Sequence, residues 1–128
     1  MSLRSPMGRV LGLGSAKDGV SHWWMQRVSA VALVVLGLWF ASALLRLGDF
    51  SHAAILAWIA LPLNAVLLSL LIGTAVYHSY LGVQVVVEDY VSKHGLKIVA
   101  MLLVTFVHIV LAALGVFSVL RIAFGAVA

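Results

Sequence analysis

Cysteine is absent from the 128 residues of the chain, and both proline (2 residues) and acidic residues (4 residues) are scarce. Without cysteine there is no disulfide framework, no thiolate metal site and no cysteine nucleophile, so any metal ion must be bound by histidine or carboxylate. Charged residues make up 9% of the chain and hydrophobic residues 64%, with a mean hydropathy of +1.18. Because soluble domains carry about 25% charged residues, this composition indicates an integral membrane protein.

The few charges are mostly basic, giving a net charge of +4 and a pI of about 10.0. They are spread among apolar stretches rather than gathered in a patch, so no nucleic-acid partner is expected and the basic residues are interpreted as topology signals. The first 21 residues, "MSLRSPMGRVLGLGSAKDGVS", have no apolar core long enough for a signal peptide. Residues 1–21 are predicted to form a cytoplasmic arm; a short mitochondrial transit segment is the alternative.

Three apolar stretches are long enough to span a bilayer, which takes about 20 residues. They predict membrane helices at about 27–46, 62–89 and 96–121, within an anchor domain of residues 22–128. Pro62 favours a helix start, so the segment before it, "FSHAAILAWIAL", is predicted to be a separate short interfacial helix. The predicted fold is an all-α integral membrane protein with three transmembrane helices that packs with a partner anchor subunit.

Basic residues near the membrane ends predict the orientation of the spans, because cytoplasmic loops are enriched in Lys and Arg. One side of the predicted topology carries Arg4, Arg9, Lys17, Arg27, Lys93 and Lys97, and the other carries Arg46 and Arg121. The N-terminus is therefore predicted to be cytoplasmic and the C-terminus periplasmic. A bacterial inner membrane is expected, with the mitochondrial inner membrane as the alternative.

The second predicted span contains a histidine where lipid is expected, in "YHSYLGVQVVVEDY". At 1.5 Å per residue His78 lies about 15 Å from Glu88 along the helix, close to the midplane of the bilayer. Ionisable groups at this depth usually pair, relay protons or bind a cofactor, and imidazole is an axial ligand of haem iron. Gly82 shares the face of His78 and would leave room for a flat macrocycle, and Asp89 points the same way, next to the phenol of Tyr90.

Other interpretations of these residues remain open. A transmembrane histidine can serve only to hydrogen-bond a neighbouring helix, and an acidic and aromatic helix end can be a solvated cap with an interfacial side chain. His108 lies at a similar depth in the third span, as a rival ligand or as a pocket-lining residue. His52 and His94 are expected to be solvated at helix ends, and Trp23 and Trp24 are expected to anchor the chain at the membrane surface.

The stretch "HSYLGVQVVVEDY" resembles the H-x3-G-x6-DY signature of the hydrophobic membrane anchor subunit, or D subunit, of succinate dehydrogenase (respiratory complex II). The earlier stretch "GVSHWWMQRVSAVAL" is similar to the HWWxQRxSA start of the first helix in these anchors. The C subunit of the complex instead continues its haem-ligand helix as H-x3-G-x-R-H, which "HSYLGVQV" does not match. Ser29, which lies in "QRVSA", is therefore not included among the predicted quinone-binding residues.

The resemblance implies roles for individual residues. His78 would be one axial ligand of haem b iron, and the C subunit (cytochrome b) would supply the other. Tyr90 would hydrogen-bond a ubiquinone carbonyl, with Asp89 beside it. Arg27 and His22 would lie near the haem propionates or the quinone pocket.

The resemblance also implies a function. The chain would be a membrane anchor of succinate:ubiquinone oxidoreductase, in which electrons from succinate oxidation pass to quinone in the respiratory chain. It would not be catalytic on its own. FAD and the iron–sulfur clusters would be bound by the flavoprotein and iron–sulfur subunits, because this sequence has neither a glycine-rich dinucleotide motif nor cysteine. The alternative is a structural or transport membrane subunit without a cofactor, in which His78 only bonds a neighbouring helix.

Overall fold

A computed structural model of the protein describes Met7 and residues 19–125. Residues 19–125 form four helices and no strand. The helices are α1 (Gly19–Arg46), α2 (His52–Ala60), α3 (Pro62–Tyr90) and α4 (His94–Ala123). The predictions for most of the N-terminal arm, including its charges at Arg4, Arg9 and Lys17, lie outside the described residues.

Helices α1, α3 and α4 are each long and apolar enough to cross a membrane. Together with the short helix α2 before the second span, they confirm the predicted all-α membrane fold. Helix α3 begins at Pro62 as predicted, and α4 begins two residues earlier than expected, at His94. Helix α1 begins at Gly19, about two turns before the predicted start at 27. The charge at Arg27 marks where the apolar stretch begins, but backbone hydrogen bonding carries the helix further toward its N-terminus.

The corner between α1 and α2 is held by local hydrogen bonds. Gly48 adopts a φ of 67°, a backbone conformation that glycine reaches without steric cost. Ser51 caps α2 by accepting from Ala54 N–H at 3.3 Å. The Asp49 carboxylate accepts from the Ser51 backbone N–H and hydroxyl, both at 2.8 Å. These two bonds, the backbone bond first, lower the pKa of Asp49 below its ordinary value.

Helix α3 is the central helix of the fold. It packs against α1 on one side and α4 on the other, while α2 lies across the ends of α3 and α4. Helices α3 and α4 approach closely at Gly115, where an added Cβ would lie only 2.7 Å from Ile72 Cγ2. The position of α3 between the other two spans places its side chains at both helix contacts.

An aromatic cluster closes the end of the bundle near α2. Trp39 of α1 stacks on Trp58 of α2, with ring centroids 6.0 Å apart and planes inclined by 21°. Both rings pack against a small buried core formed by Ala65, Leu68 and Val119. Within residues 19–125, α1 and α4 make no direct helix contact. The aromatic cluster therefore links α1 to α4 through the side chain of Trp58 in α2.

Most of the spanning surface is exposed in the isolated chain. In the most apolar part of each span, only 6% of residues are buried in α1, 11% in α3 and none in α4. Lipid or other protein chains must cover this surface. Ser29 differs from this pattern, because its polar side chain is buried and only 5% exposed.

Candidate functional site

The imidazole of His78 lies at the contact between α3 and α1. Its Nδ1 atom is 2.9 Å from Ser29 Oγ, and its Nε2 atom is 3.4 Å from the amide nitrogen Nε2 of Gln26. The Ser29 hydroxyl also donates to the backbone carbonyl of Gln26 at 3.1 Å. Both ring nitrogens of His78 are thus engaged by residues one turn apart on α1.

The tautomer of His78 decides which atoms donate in this network. With the ring proton on Nε2, the Ser29 hydroxyl would donate to His78 Nδ1. With the ring proton on Nδ1, His78 Nδ1–H donates to Ser29 Oγ, the Ser29 hydroxyl donates to Gln26 O, and an electron pair is left on His78 Nε2. The Gln26 amide N–H can donate to that electron pair. A neutral imidazole with a free electron pair on Nε2 is the form that binds a metal ion.

Gly82 lies one turn after His78 and faces the same residue of α1. A Cβ built on Gly82 would lie 3.7 Å from Gln26 Nε2, which is an ordinary van der Waals distance. The side chain of Gln26 therefore occupies the space beside Gly82 and touches the coordinating edge of His78 at the same time. Sequence reasoning did not single out Gln26, because which residue of α1 faces His78 depends on how the two helices pack.

A cavity of about 540 Å³ opens between the start of α1 and the last turns of α3. It is lined by His22, Trp23, Gln26, Arg27, Gly82, Gln84, Val85 and Glu88. Within the described part of the chain, two buried side-chain atoms lack any hydrogen-bond partner, His22 Nε2 and Gln26 Oε1. Both belong to residues of this cavity. Because an unsatisfied buried polar atom costs about 1–3 kcal/mol, the cavity is suited to a ligand that carries polar groups.

Two charged residues of opposite sign line this cavity. The Arg27 guanidinium carbon lies 5.5 Å from the centroid of the Trp23 ring, a cation–π contact that steadies an otherwise exposed side chain. On the α3 side, Glu88 Oε1 accepts from Gln84 Nε2 at 2.9 Å. Lys97 of α4 donates to the backbone carbonyl of Glu88 at 2.7 Å, which joins the end of α3 to the start of α4.

Asp89 and Tyr90 do not line this cavity. They are the last two residues of α3, and both are exposed, Tyr90 by 82%. Their surface lies next to the Glu88 carbonyl that Lys97 engages. In the isolated chain the predicted quinone-binding residues thus form an open surface at the end of α3, separate from the His78 network.

His108 lies at the other contact of α3, where α4 packs against it. Its Nδ1–H donates to the Val104 carbonyl at 2.7 Å, because a carbonyl only accepts, and its Nε2 atom is 3.3 Å from Ser79 Oγ. The ring also meets the edge of Tyr80 at a centroid distance of 5.7 Å. The structure does not bring His108 and His78 together. His108 lines a second, mainly apolar cavity of about 310 Å³.

The fold and this site define a multi-pass membrane protein with a histidine network between two of its spans. Comparison with known sequences identifies the family. The chain belongs to the succinate dehydrogenase/fumarate reductase transmembrane subunit family, whose model matches residues 1–112. No solved structure matches the chain.

Individual relatives agree with the family and with the resemblance of α3 to the anchor subunit. The succinate dehydrogenase hydrophobic membrane anchor subunit of Rickettsia bellii is 36% identical over 118 residues, covering 89% of this chain and 94% of the relative. The subunit of the same name from Paracoccus denitrificans is 32% identical over 123 residues, covering 96% of this chain and 95% of the relative. The succinate dehydrogenase membrane anchor subunit of Reclinomonas americana is 28% identical, over 73% of this chain. The resemblance seen in the sequence is confirmed along most of the chain.

Proposed function

We propose that this succinate dehydrogenase membrane anchor subunit supplies one axial ligand of a haem b, His78, and part of a ubiquinone-reduction site. One observation carries the proposal: within a membrane-spanning helix contact, Ser29 Oγ lies 2.9 Å from His78 Nδ1, where it can accept from Nδ1–H and leave the electron pair of Nε2 for a metal ion. A bound haem would supply one-electron transfer. The resemblance to the D subunit implies that the partner C subunit would supply the second ligand of the iron; His108 is hydrogen-bonded at the opposite helix contact.

The residues around His78 fit a haem if one side chain moves. Iron can bind Nε2 only when the Gln26 amide leaves its position 3.4 Å from that atom. The amide has room to move, because Gln26 borders the cavity of about 540 Å³ and its Oε1 atom lacks a partner where it now lies. Arg27 and the unpaired Nε2 of His22 line the same cavity and suit the carboxylates of haem propionates.

For the quinone site, we assign Tyr90 as hydrogen-bond donor to a ubiquinone carbonyl and Asp89 as a proton carrier from the aqueous side. Reduction of a quinone consumes two electrons and two protons, so a donor and a proton route are both needed. Both residues are exposed at the end of α3, where a partner subunit can cover them and complete a pocket. The open surface in the isolated chain supports a site shared between subunits.

The remaining elements of the proposal concern the assembly. The C subunit would pack along the exposed spans, and the iron–sulfur subunit and the flavoprotein, which carries FAD, would dock on the cytoplasmic face. The positive-inside distribution supports a cytoplasmic N-terminus and a periplasmic C-terminus in a bacterial inner membrane. Electrons from succinate oxidation would then reach ubiquinone beside Tyr90.

A second candidate function is supported by the same network. Both ring nitrogens of His78 already have partners in this chain, so His78 is able to act only as a hydrogen-bonding link between α1 and α3. The chain would then be an anchor without a cofactor.

The visible spectrum of the purified complex separates the two candidates. We expect a b-type haem band in the wild-type complex that disappears in His78→Ala. His108→Ala is the matched control, because His108 is also half-buried in a spanning helix and hydrogen-bonded. It should keep the band. A band that persists in His78→Ala would contradict the ligand assignment, and a wild-type complex without any haem band would favour the cofactor-free anchor.

A further inference from the structure

We infer that Ser29 is a positioning residue for His78: its hydroxyl holds the ring orientation and accepts from Nδ1–H in the tautomer whose Nε2 is able to bind iron. The inference rests on the proposed role of His78 as a haem ligand. It assigns a function to a residue that neither the signature in α3 nor the predicted quinone site includes.

The burial of Ser29 supports a specific task. Its side chain is 5% exposed in a chain whose spans contain few buried residues, and it contacts His78 between α1 and α3. Its oxygen lies 3.1 Å from Gln26 O and 2.9 Å from His78 Nδ1. When Nε2 of a neutral imidazole binds iron, the ring proton is on Nδ1, so Ser29 Oγ would accept from Nδ1–H and donate its own proton to Gln26 O.

The amide of Gln26 has an orientation that would block iron. Gln26 Oε1 has no partner, and it belongs to the same amide whose nitrogen lies 3.4 Å from His78 Nε2. If the amide turned over, Oε1 would face Nε2 and would favour the tautomer with a proton on Nε2. A protonated Nε2 cannot coordinate iron. Ser29 stabilises the competent tautomer, because its oxygen can accept from Nδ1–H while its own proton goes to Gln26 O.

Ser29 should also change the electronic properties of the ligand. An acceptor on the non-coordinating N–H of a histidine raises the basicity of the coordinating nitrogen, and loss of such a partner typically weakens metal binding about 10–100-fold. A less basic nitrogen stabilises ferric iron less. Removing the hydroxyl should therefore weaken haem retention and raise the reduction potential of the haem that remains.

The test uses Ser29→Ala in the purified, fully assembled complex. We expect haem to dissociate about 10–100-fold more readily, the reduction potential to rise, and the EPR spectrum of the ferric haem to change. Ser29→Thr keeps the hydroxyl and should restore all three properties. Ser42→Ala is the control, because Ser42 lies on the same helix and makes the same type of bond, to Trp39 O at 2.8 Å. It should leave all three unchanged.

A near-isosteric variant keeps the test decisive if Ser29→Ala prevents assembly. Ser29→Cys preserves the shape of the side chain but accepts hydrogen bonds only weakly, so it should raise the potential in the same direction. If His78→Ala loses the haem while Ser29→Ala or Ser29→Cys leaves affinity, potential and EPR spectrum unchanged, the positioning role is wrong and the ligand role stands. Haem that persists in His78→Ala would overturn both.

Discussion

Replacing Gly115 by alanine tests whether α3 and α4 pack as closely as the structure shows. The new Cβ would lie 2.7 Å from Ile72 Cγ2, 3.6 Å from Cδ1 and 3.9 Å from Cβ of the same side chain. The shortest of these distances is well below the roughly 3.5–4.0 Å that separates carbon atoms in favourable contact. Isoleucine is branched at Cβ and strongly prefers one χ1 rotamer in a helix, so relieving the contact requires either an unfavourable rotamer of Ile72 or a shift of the helix.

The expected magnitude follows from a matched pair of glycines. Overpacking of this kind costs about 1–3 kcal/mol. Gly37 is also in a spanning helix, but a Cβ built there meets nothing within 4 Å. Because both substitutions change glycine to alanine within a helix, the helix-propensity gain cancels between them. Gly115→Ala should therefore be about 1–3 kcal/mol less stable than Gly37→Ala.

The assay is thermal denaturation of the detergent-purified complex. We expect a lower melting temperature for Gly115→Ala than for Gly37→Ala, because the close contact with Ile72 destabilises the first variant. The double variant Gly115→Ala/Ile72→Ala lacks the Cγ2 atom and should recover part of the lost stability, which would show that the two sites are energetically coupled. Equal melting temperatures for Gly115→Ala and Gly37→Ala would refute the close approach of α3 and α4 at this position.

Three further predictions concern the α2 corner and the site. Ser51→Ala removes only the hydroxyl bond to Asp49 and should raise the pKa of Asp49 part of the way toward its ordinary value in an NMR titration; an unchanged pKa would contradict the bond from the Ser51 hydroxyl. Because the wild-type pKa is lowered, these bonds stabilise the corner above the ordinary pKa of aspartate, and that contribution is lost as the pH falls through the lowered value. Tyr90→Phe should reduce the kcat/KM for ubiquinone by up to about tenfold, for loss of one hydrogen bond, while haem content stays constant. Tyr77→Phe is its control, and equal rates for the two variants would exclude Tyr90 from the site. Gly82→Ala should leave the fold intact, because the nearest side-chain atom is 3.7 Å from the new Cβ. If the haem macrocycle lies against this glycine, the variant should contain less haem. An unchanged haem content would contradict that packing.

The spans were predictable because the bilayer imposes a simple requirement. Uncharged stretches of sufficient length and the proline at position 62 define α3 without knowledge of any contact. The start of α1 was predicted too late, because the position of a charge marks the edge of the hydrocarbon and not the end of backbone hydrogen bonding. Residues near Gly19 continue the helix beyond that edge.

The site itself was only partly predictable. His78 was predictable as a site residue because it lies deep in a membrane span. Its neighbours depend on how α1 is rotated relative to α3. Both helices are almost uniformly apolar, so their sequence periodicity does not define that rotation. Gln26 and Ser29 are adjacent polar positions on one face of α1, and this spacing was the available signal. A quinone pocket at Asp89 and Tyr90 would need residues from other chains. The role of these two residues therefore stays a prediction from the sequence.

The central claim, that His78 Nε2 binds haem iron, is tested most directly by changing the chemical identity of the ligand. His78→Met replaces an imidazole by a thioether, and methionine ligation raises the potential of a haem relative to histidine ligation. The EPR spectrum and reduction potential of the ferric haem in the intact complex are the measurement. We predict that the wild-type EPR signal disappears and that the potential of any retained haem rises. A complex of His78→Met with the wild-type signal and potential would contradict the account.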